Sequence, residues 1–122
     1  MMRLSSETKP VAIGYLRRDI VGVAQGWNET QIRSVARRLG YNLAKTVVFS
    51  AKTTNPIPEL IAVARRGKAD AVIVPSATHF DGDAIPDELT QVVDVITVSP
   101  EETYARWTLN PTRWSDQAQG PT

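Results

Sequence analysis

Apolar residues fall in short runs along this chain, separated by stretches with helical periodicity. Residues 11–16 form one such run, opened by Pro10 and followed by Arg17, Arg18 and Asp19. That profile predicts a parallel strand buried on both faces. Residues 43–49, carrying Leu43, Val47 and Val48, residues 71–74, wholly apolar, and residues 95–98 read as three further strands. Between the first two, residues 27–39 place Ile32, Val35, Ala36 and Leu39 on one helical face and turn Arg33, Arg37 and Arg38 away from it. Asn28 with Gln31 three positions on predicts a capping box. Gly40 predicts a left-handed stop.

A second helix is expected over residues 56–66, with Asn55 as its cap, Pro56 at its first position and Gly67 at its end. Its apolar face is Ile57, Leu60, Ile61 and Ala64. A shorter helix over residues 86–93 carries Leu89, Val92 and Val93. Residues 20–26, with two glycines, and residues 76–83, largely polar, read as loops. Residues 99–102 open a turn or short helix that leads to Tyr104 and Trp107. Strands alternating with helices at this spacing predict an α/β fold, a small three-layer sandwich with a parallel sheet. It should occupy residues 10–107, after a flexible N-terminus (1–9) and before a disordered tail (108–122) relieved only by Trp114.

At 122 residues the chain is long enough for one domain with a real core. Fourteen basic and thirteen acidic residues leave a net charge of +1, which disfavours a wholesale polyanion binder but leaves room for a local basic face. The absence of cysteine removes disulfides, thiolate metal sites and cysteine nucleophiles. No apolar run reaches the ~20 residues a membrane helix needs, and residues 1–9 hold no secretory h-region. A cytoplasmic protein without membrane contact is expected.

Tyr15, Leu16 and Arg17 close the first strand. A glutamine-containing loop follows, then a helix with Gln31, Ile32, Leu39 and Gly40. After the second strand come Arg65, Arg66 and Gly67, then Lys68, Ala69 and Asp70 leading into an apolar strand. This order resembles the N-terminal catalytic domain of the serine recombinases, the resolvase and invertase family, over roughly residues 10 to 100. The resemblance implies a resolvase-like, flavodoxin-like sandwich whose four-stranded parallel sheet runs in the order 2-1-3-4. It also implies DNA recombination through a serine that attacks a DNA phosphate while several arginines neutralise the charge, as a weak hydroxyl nucleophile requires. Of that constellation, Tyr15 and Arg17 are present. The nucleophile's position falls on Asp19, His79 and Gly82 stand where the family has arginines, and Asn55, Pro56, Ile57 and Pro58 supply no cation. The family's long dimer helix and DNA-binding domain are not expected after this domain.

Asp19 cannot take the serine's part, because its carboxylate repels a phosphodiester. The expectation is therefore a catalytically inactive member, a pseudoenzyme acting as a binding or regulatory module. Tyr15, Arg17, Asp19 and His79 are its vestigial site positions, and no catalytic residue is expected. Arg17 and Asp19 read either as a ligand pair at the end of the sheet or as a local ion pair. Arg33, Arg37, Arg38 and Trp107 are the candidate contacts to nucleic acid or a partner, and Arg65, Arg66 and Lys68 extend the basic residues. The partner would be a protein, with DNA contact weak or absent, and monomer and homodimer both stay open. Asp81, Asp83, Asp87 and Glu88 match no cation loop. No metal and no cofactor is expected, since no Gly-rich phosphate loop follows the first strand. The alternatives are an active site-specific recombinase and a small nucleotide- or ligand-binding α/β protein.

Overall fold

The structure, a computed structural model, describes residues 9–107. The expectations for the N-terminus up to residue 8, for the tail over 108–122 and for Trp114 lie outside the described residues. The chain forms a mostly parallel α/β sheet. Strand β1 (Val11–Arg17) leads into a one-turn helix α1 (Arg18–Val21), a 3-10 turn (Gly22–Ala24) and helix α2 (Gln25–Arg38). Strand β2 (Asn42–Phe49), helix α3 (Pro56–Arg66) and strand β3 (Ala71–Val74) follow. Two 3-10 turns (Ala77–His79 and Asp81–Asp83) and helix α4 (Asp87–Thr90) then lead to β4 (Asp94–Thr97) and β5 (Glu102–Tyr104).

The sheet has five strands in the order β2-β1-β3-β4-β5, not the four expected. The first four are parallel, and β5 returns antiparallel to β4 with Ile96 opposite Thr103. Its three residues are all exposed and polar or amphipathic, so the strand lacks the apolar alternation by which sequence reveals one. Charge and shortness are how proteins blunt a free sheet edge.

Alternation along the central strands divides the core in two. Ile13, Tyr15, Val72, Val74 and Val95 face Leu60, Val63 and Ala64 of α3 and Leu89 of α4. Ala12, Leu16, Ala71, Ile73 and Ile96 face Ile32, Val35 and Ala36 of α2. Helices therefore cover both faces.

Several local expectations change. Residues 20–26 are helical rather than loop, and α2 begins at Gln25, two residues before Trp27. Asn28 thus lies inside the helix, where its Nδ2 donates to the Ala24 carbonyl at 2.9 Å instead of capping. Leu39 is partly exposed at 40%, because the helix has ended and Gly40 (φ 84°) has turned the chain away. Asn55 precedes α3 in the left-handed region (φ 50°) without a side-chain cap; its carbonyl accepts the Glu59 N–H. Lys68 (φ 53°), rather than Gly67, takes the left-handed conformation after α3. Helix α4 is one turn, shorter than residues 86–93, because Val93 is drawn into the core beside Leu89 as β4 begins.

Gly14 sits where β1 must approach β2 and α2 closely. A Cβ there would lie 2.8 Å from Thr46 Oγ1 and 3.0 Å from Ile32 Cγ2. Both neighbours are β-branched and packed, so relief requires backbone movement. Gly14→Ala is expected to cost ~1–3 kcal/mol in urea unfolding. Thr46→Ala, which removes two of the three nearest atoms, should recover part of that loss in the double variant. Simple additivity would refute the close-approach account.

Candidate functional site

Residues Tyr15 and Arg17 point to the same side of β1, the side covered by α3 and α4, because side chains alternate along a strand. Since β3 pairs directly with β1, the loop leaving β3 arrives beside the end of β1. This adjacency brings Ala77–His79 and Asp81–Asp83 to Arg17. The Tyr15 ring stacks on Phe80 (5.3 Å between centroids) and meets Phe49 edge-on (5.5 Å). Its hydroxyl donates to the His79 carbonyl at 3.2 Å. Burial pushes the Tyr15 phenol up to about 12, with Asp81 and Asp19 adding to the rise and Arg17 opposing it.

The Arg17 guanidinium is committed to two carboxylates. Nη2 and Nε donate to Asp19 at 2.7 and 3.1 Å, a bidentate pair, and Nη1 donates to Asp81 at 3.1 Å. The Asp19 hydrogen bonds hold the Arg17 proton more tightly still, and the same bonds draw the Asp19 carboxyl below its ordinary range. Arg17 and Asp19 therefore form the local ion pair, and Asp81 joins it. One guanidinium against two carboxylates leaves the cluster with a net charge of −1.

His79 is 2% exposed, and its Nδ1 accepts the Arg17 backbone N–H at 3.0 Å. An amide can only donate, so Nδ1 is the acceptor and the neutral ring carries its proton on Nε2. Burial lowers the imidazole pKa, the Arg17 charge lowers it further, and Asp19 pulls the other way. A hollow of about 200 Å³ lies beside this cluster, lined by Tyr15, Arg17, Ile57, His79, Phe80 and Pro86. The nearby hydroxyls of Ser76 and Thr78 bond to each other at 2.6 Å. Among the described residues, no hydroxyl bonds to the His79 imidazole, so the arrangement lacks a nucleophile–base pair.

The other named residues lie elsewhere. Arg38 is tied to Glu101 at 2.9 Å, which removes it from the basic face drawn with Arg33 and Arg37. Arg33 and Arg37 flank a hollow of about 280 Å³ with Lys9, Tyr41 and Leu43, near the start of β1 and β2. Trp107 is half exposed, and its backbone N–H donates to the Thr90 carbonyl at the end of α4. Asp87 and Glu88 occupy the first turn of α4, and Asp81 turns to Arg17. Among the described residues, no group of three or more His, Asp or Glu side chains is placed to hold a metal ion.

Asp81 was the partner sequence reasoning missed. It follows β3 by seven residues, and only the β1–β3 adjacency brings it to Arg17. No family model matches the chain, and no curated protein matches its sequence.

The buried neutral His79 sets a pH dependence. Its folded pKa lies below the unfolded value of 6.5, so between the two the unfolded chain binds more protons. The stabilisation is complete above pH 6.5 and is lost as pH falls toward the folded pKa. Urea midpoints measured from pH 7.5 to 5 should decline across this window. His79→Gln, whose amide oxygen still accepts the Arg17 N–H without titrating, should flatten the decline. An unchanged slope would contradict the buried neutral ring.

Proposed function

We propose that this chain is a catalytically inactive, serine-recombinase-like domain that works as a binding or regulatory module through protein contacts. The observation that carries the reading is the closure of Arg17 by Asp19 and Asp81. A phosphoryl-transfer site needs fixed positive charge at the phosphate and a hydroxyl to attack it. Here the Arg17 guanidinium is already neutralised, and the carboxylate at the position implied for the nucleophile is one of the groups that neutralises it. Its net charge of −1 repels a phosphodiester. His79, in place of an arginine, adds no cation while it stays neutral.

Protein contact is favoured by the apolar surface. Val23 is fully exposed, Trp27 is 65% exposed, and Ile20 and Trp107 are also well exposed. Tryptophan in such positions is a common interface anchor. The resolvase-like, flavodoxin-like reading of the sandwich is supported by β2-β1-β3-β4 running parallel under helices on both faces.

Supercoiled plasmid incubated with the protein should show neither nicks nor covalently attached protein. Asp19→Ser alone should remain inactive, since Asp81 still holds Arg17 and the other cations are missing. Losing a single preorganised stabiliser typically costs ~10²–10³ in rate. A covalent adduct on any serine or threonine would overturn the reading.

A further inference from the structure

His79, which lines the hollow beside Arg17, also lines a wider one of about 380 Å³. Ile20 and Val21 of α1 and Asn28 of α2 form one wall, and Ser76, Thr78 and His79 after β3 form the other, with Ser99 beyond β4. It opens at the carboxyl ends of β1 and β3. These two neighbours mark the reversal of strand order, since the chain leaves β1 to one side for β2 and to the other for β3. Open α/β sheets bind their ligands in that crevice.

Two features of the lining say what would fit. No charged side chain contributes to it: the polar groups are three hydroxyls, the Asn28 amide and the imidazole, set beside apolar Ile20, Val21, Ala24 and Pro75. The imidazole is also incompletely bonded. With Nδ1 occupied by the Arg17 amide, the proton sits on Nε2, which forms no hydrogen bond among the described residues although the residue is only 2% exposed. A buried donor without an acceptor is left desolvated and unpaired, which is destabilising. That cost is recovered if something in the crevice accepts from it. Asn28 has given one Nδ2 hydrogen to the Ala24 carbonyl, leaving the second hydrogen to donate and the amide oxygen to accept.

We propose that this crevice binds a small uncharged molecule of nucleoside type, with a ring against the Ile20, Val21 and Ala24 wall and an acceptor on the His79 Nε2–H. The serine and threonine hydroxyls suit ligand hydroxyls or ring nitrogens. A phosphate group is excluded, because no cation lines the crevice and Arg17 next to it is held by two carboxylates. This inference stands apart from the protein-contact reading, and the plasmid result does not bear on it; because Ile20 belongs to both surfaces, the titrations use the protein without a partner.

Imidazole ¹⁵N–¹H spectra of the intact protein, titrated with adenosine and with uridine, test it directly. At least one nucleoside should move the His79 Nε2–H resonance saturably and slow its exchange, while adenosine monophosphate binds no more tightly than adenosine. His79→Phe keeps the ring volume and removes the donor. Thr78→Val removes an exposed hydroxyl whose partner is the Ser76 hydroxyl. Each should weaken binding roughly tenfold, the worth of about one hydrogen bond. If His79→Phe does not fold, Thr78→Val carries the test alone. The proposal fails if neither nucleoside gives a saturable change, if both variants bind as the native protein does, if the nucleotide binds more tightly through Arg17, or if Nε2–H proves to be satisfied by a water that no ligand displaces.

Discussion

Strand β1 is paired on both edges and covered on both faces, and everything distinctive about this domain follows from that confinement. Its backbone groups are spoken for by β2 and β3, its odd residues by the α3 and α4 layer, its even residues by α2. Gly14 is the position where β2 and α2 press closest. A strand held this firmly cannot slip, since a shift of one residue would exchange its two core faces. The residues at its end are therefore fixed in space: Arg17 must emerge beside the loop that leaves β3. Even its backbone N–H, beyond the last ladder bond to β3, finds an acceptor in His79 rather than in a strand.

That acceptor decides the electrostatics of the strand end. Because Nδ1 takes an amide hydrogen, protonating His79 would both bury a charge beside Arg17 and break the bond that orders the ring. The site resists a second cation on two independent grounds, desolvation and the guanidinium's field. Asp19 and Asp81 complete the pattern from the other sign. They satisfy the guanidinium so fully that an incoming anion would have to displace two carboxylates, one of them held bidentately. An exposed pair of this kind adds little to stability. Its consequence is for binding, because it removes the Arg17 guanidinium from competition for ligands.

Much of this could be read before the structure. The alternation of apolar runs with helical periodicity located β1, β3, α2 and α3 because each has a buried face of the right period. The elements that escaped lack one. Strand β5 is exposed throughout, and α1 has no buried residue. Asn28 and Asn55 misled for a common reason. Both residue types favour caps, but Asn28 bonds back to a carbonyl four residues earlier, and Asn55 is used for its tolerance of positive φ. At the strand end the ion pair between Arg17 and Asp19 was legible as local sequence. Asp81 was not, since its pairing depends on strand order. The His79 tautomer was beyond reach, because it is set by a single backbone amide.

Strand direction also separates one group of basic residues from the cluster at the end of β1. Lys9, Arg33 and Arg37 gather where β1 and β2 begin, whereas Tyr15, Arg17 and His79 gather where β1 ends. Seven residues of extended chain span ~23 Å, well beyond a Debye length of about 8 Å at physiological salt. A polyanion drawn to the basic end is therefore not steered toward Arg17, and the field it meets there is little altered by Asp19 or Asp81. Restoring charge at the strand end would not recruit the distant cations, and neutralising the distant cations would not change the strand end. Any nucleic-acid contact this domain makes at the basic hollow is thus decoupled from the ion cluster at the end of β1.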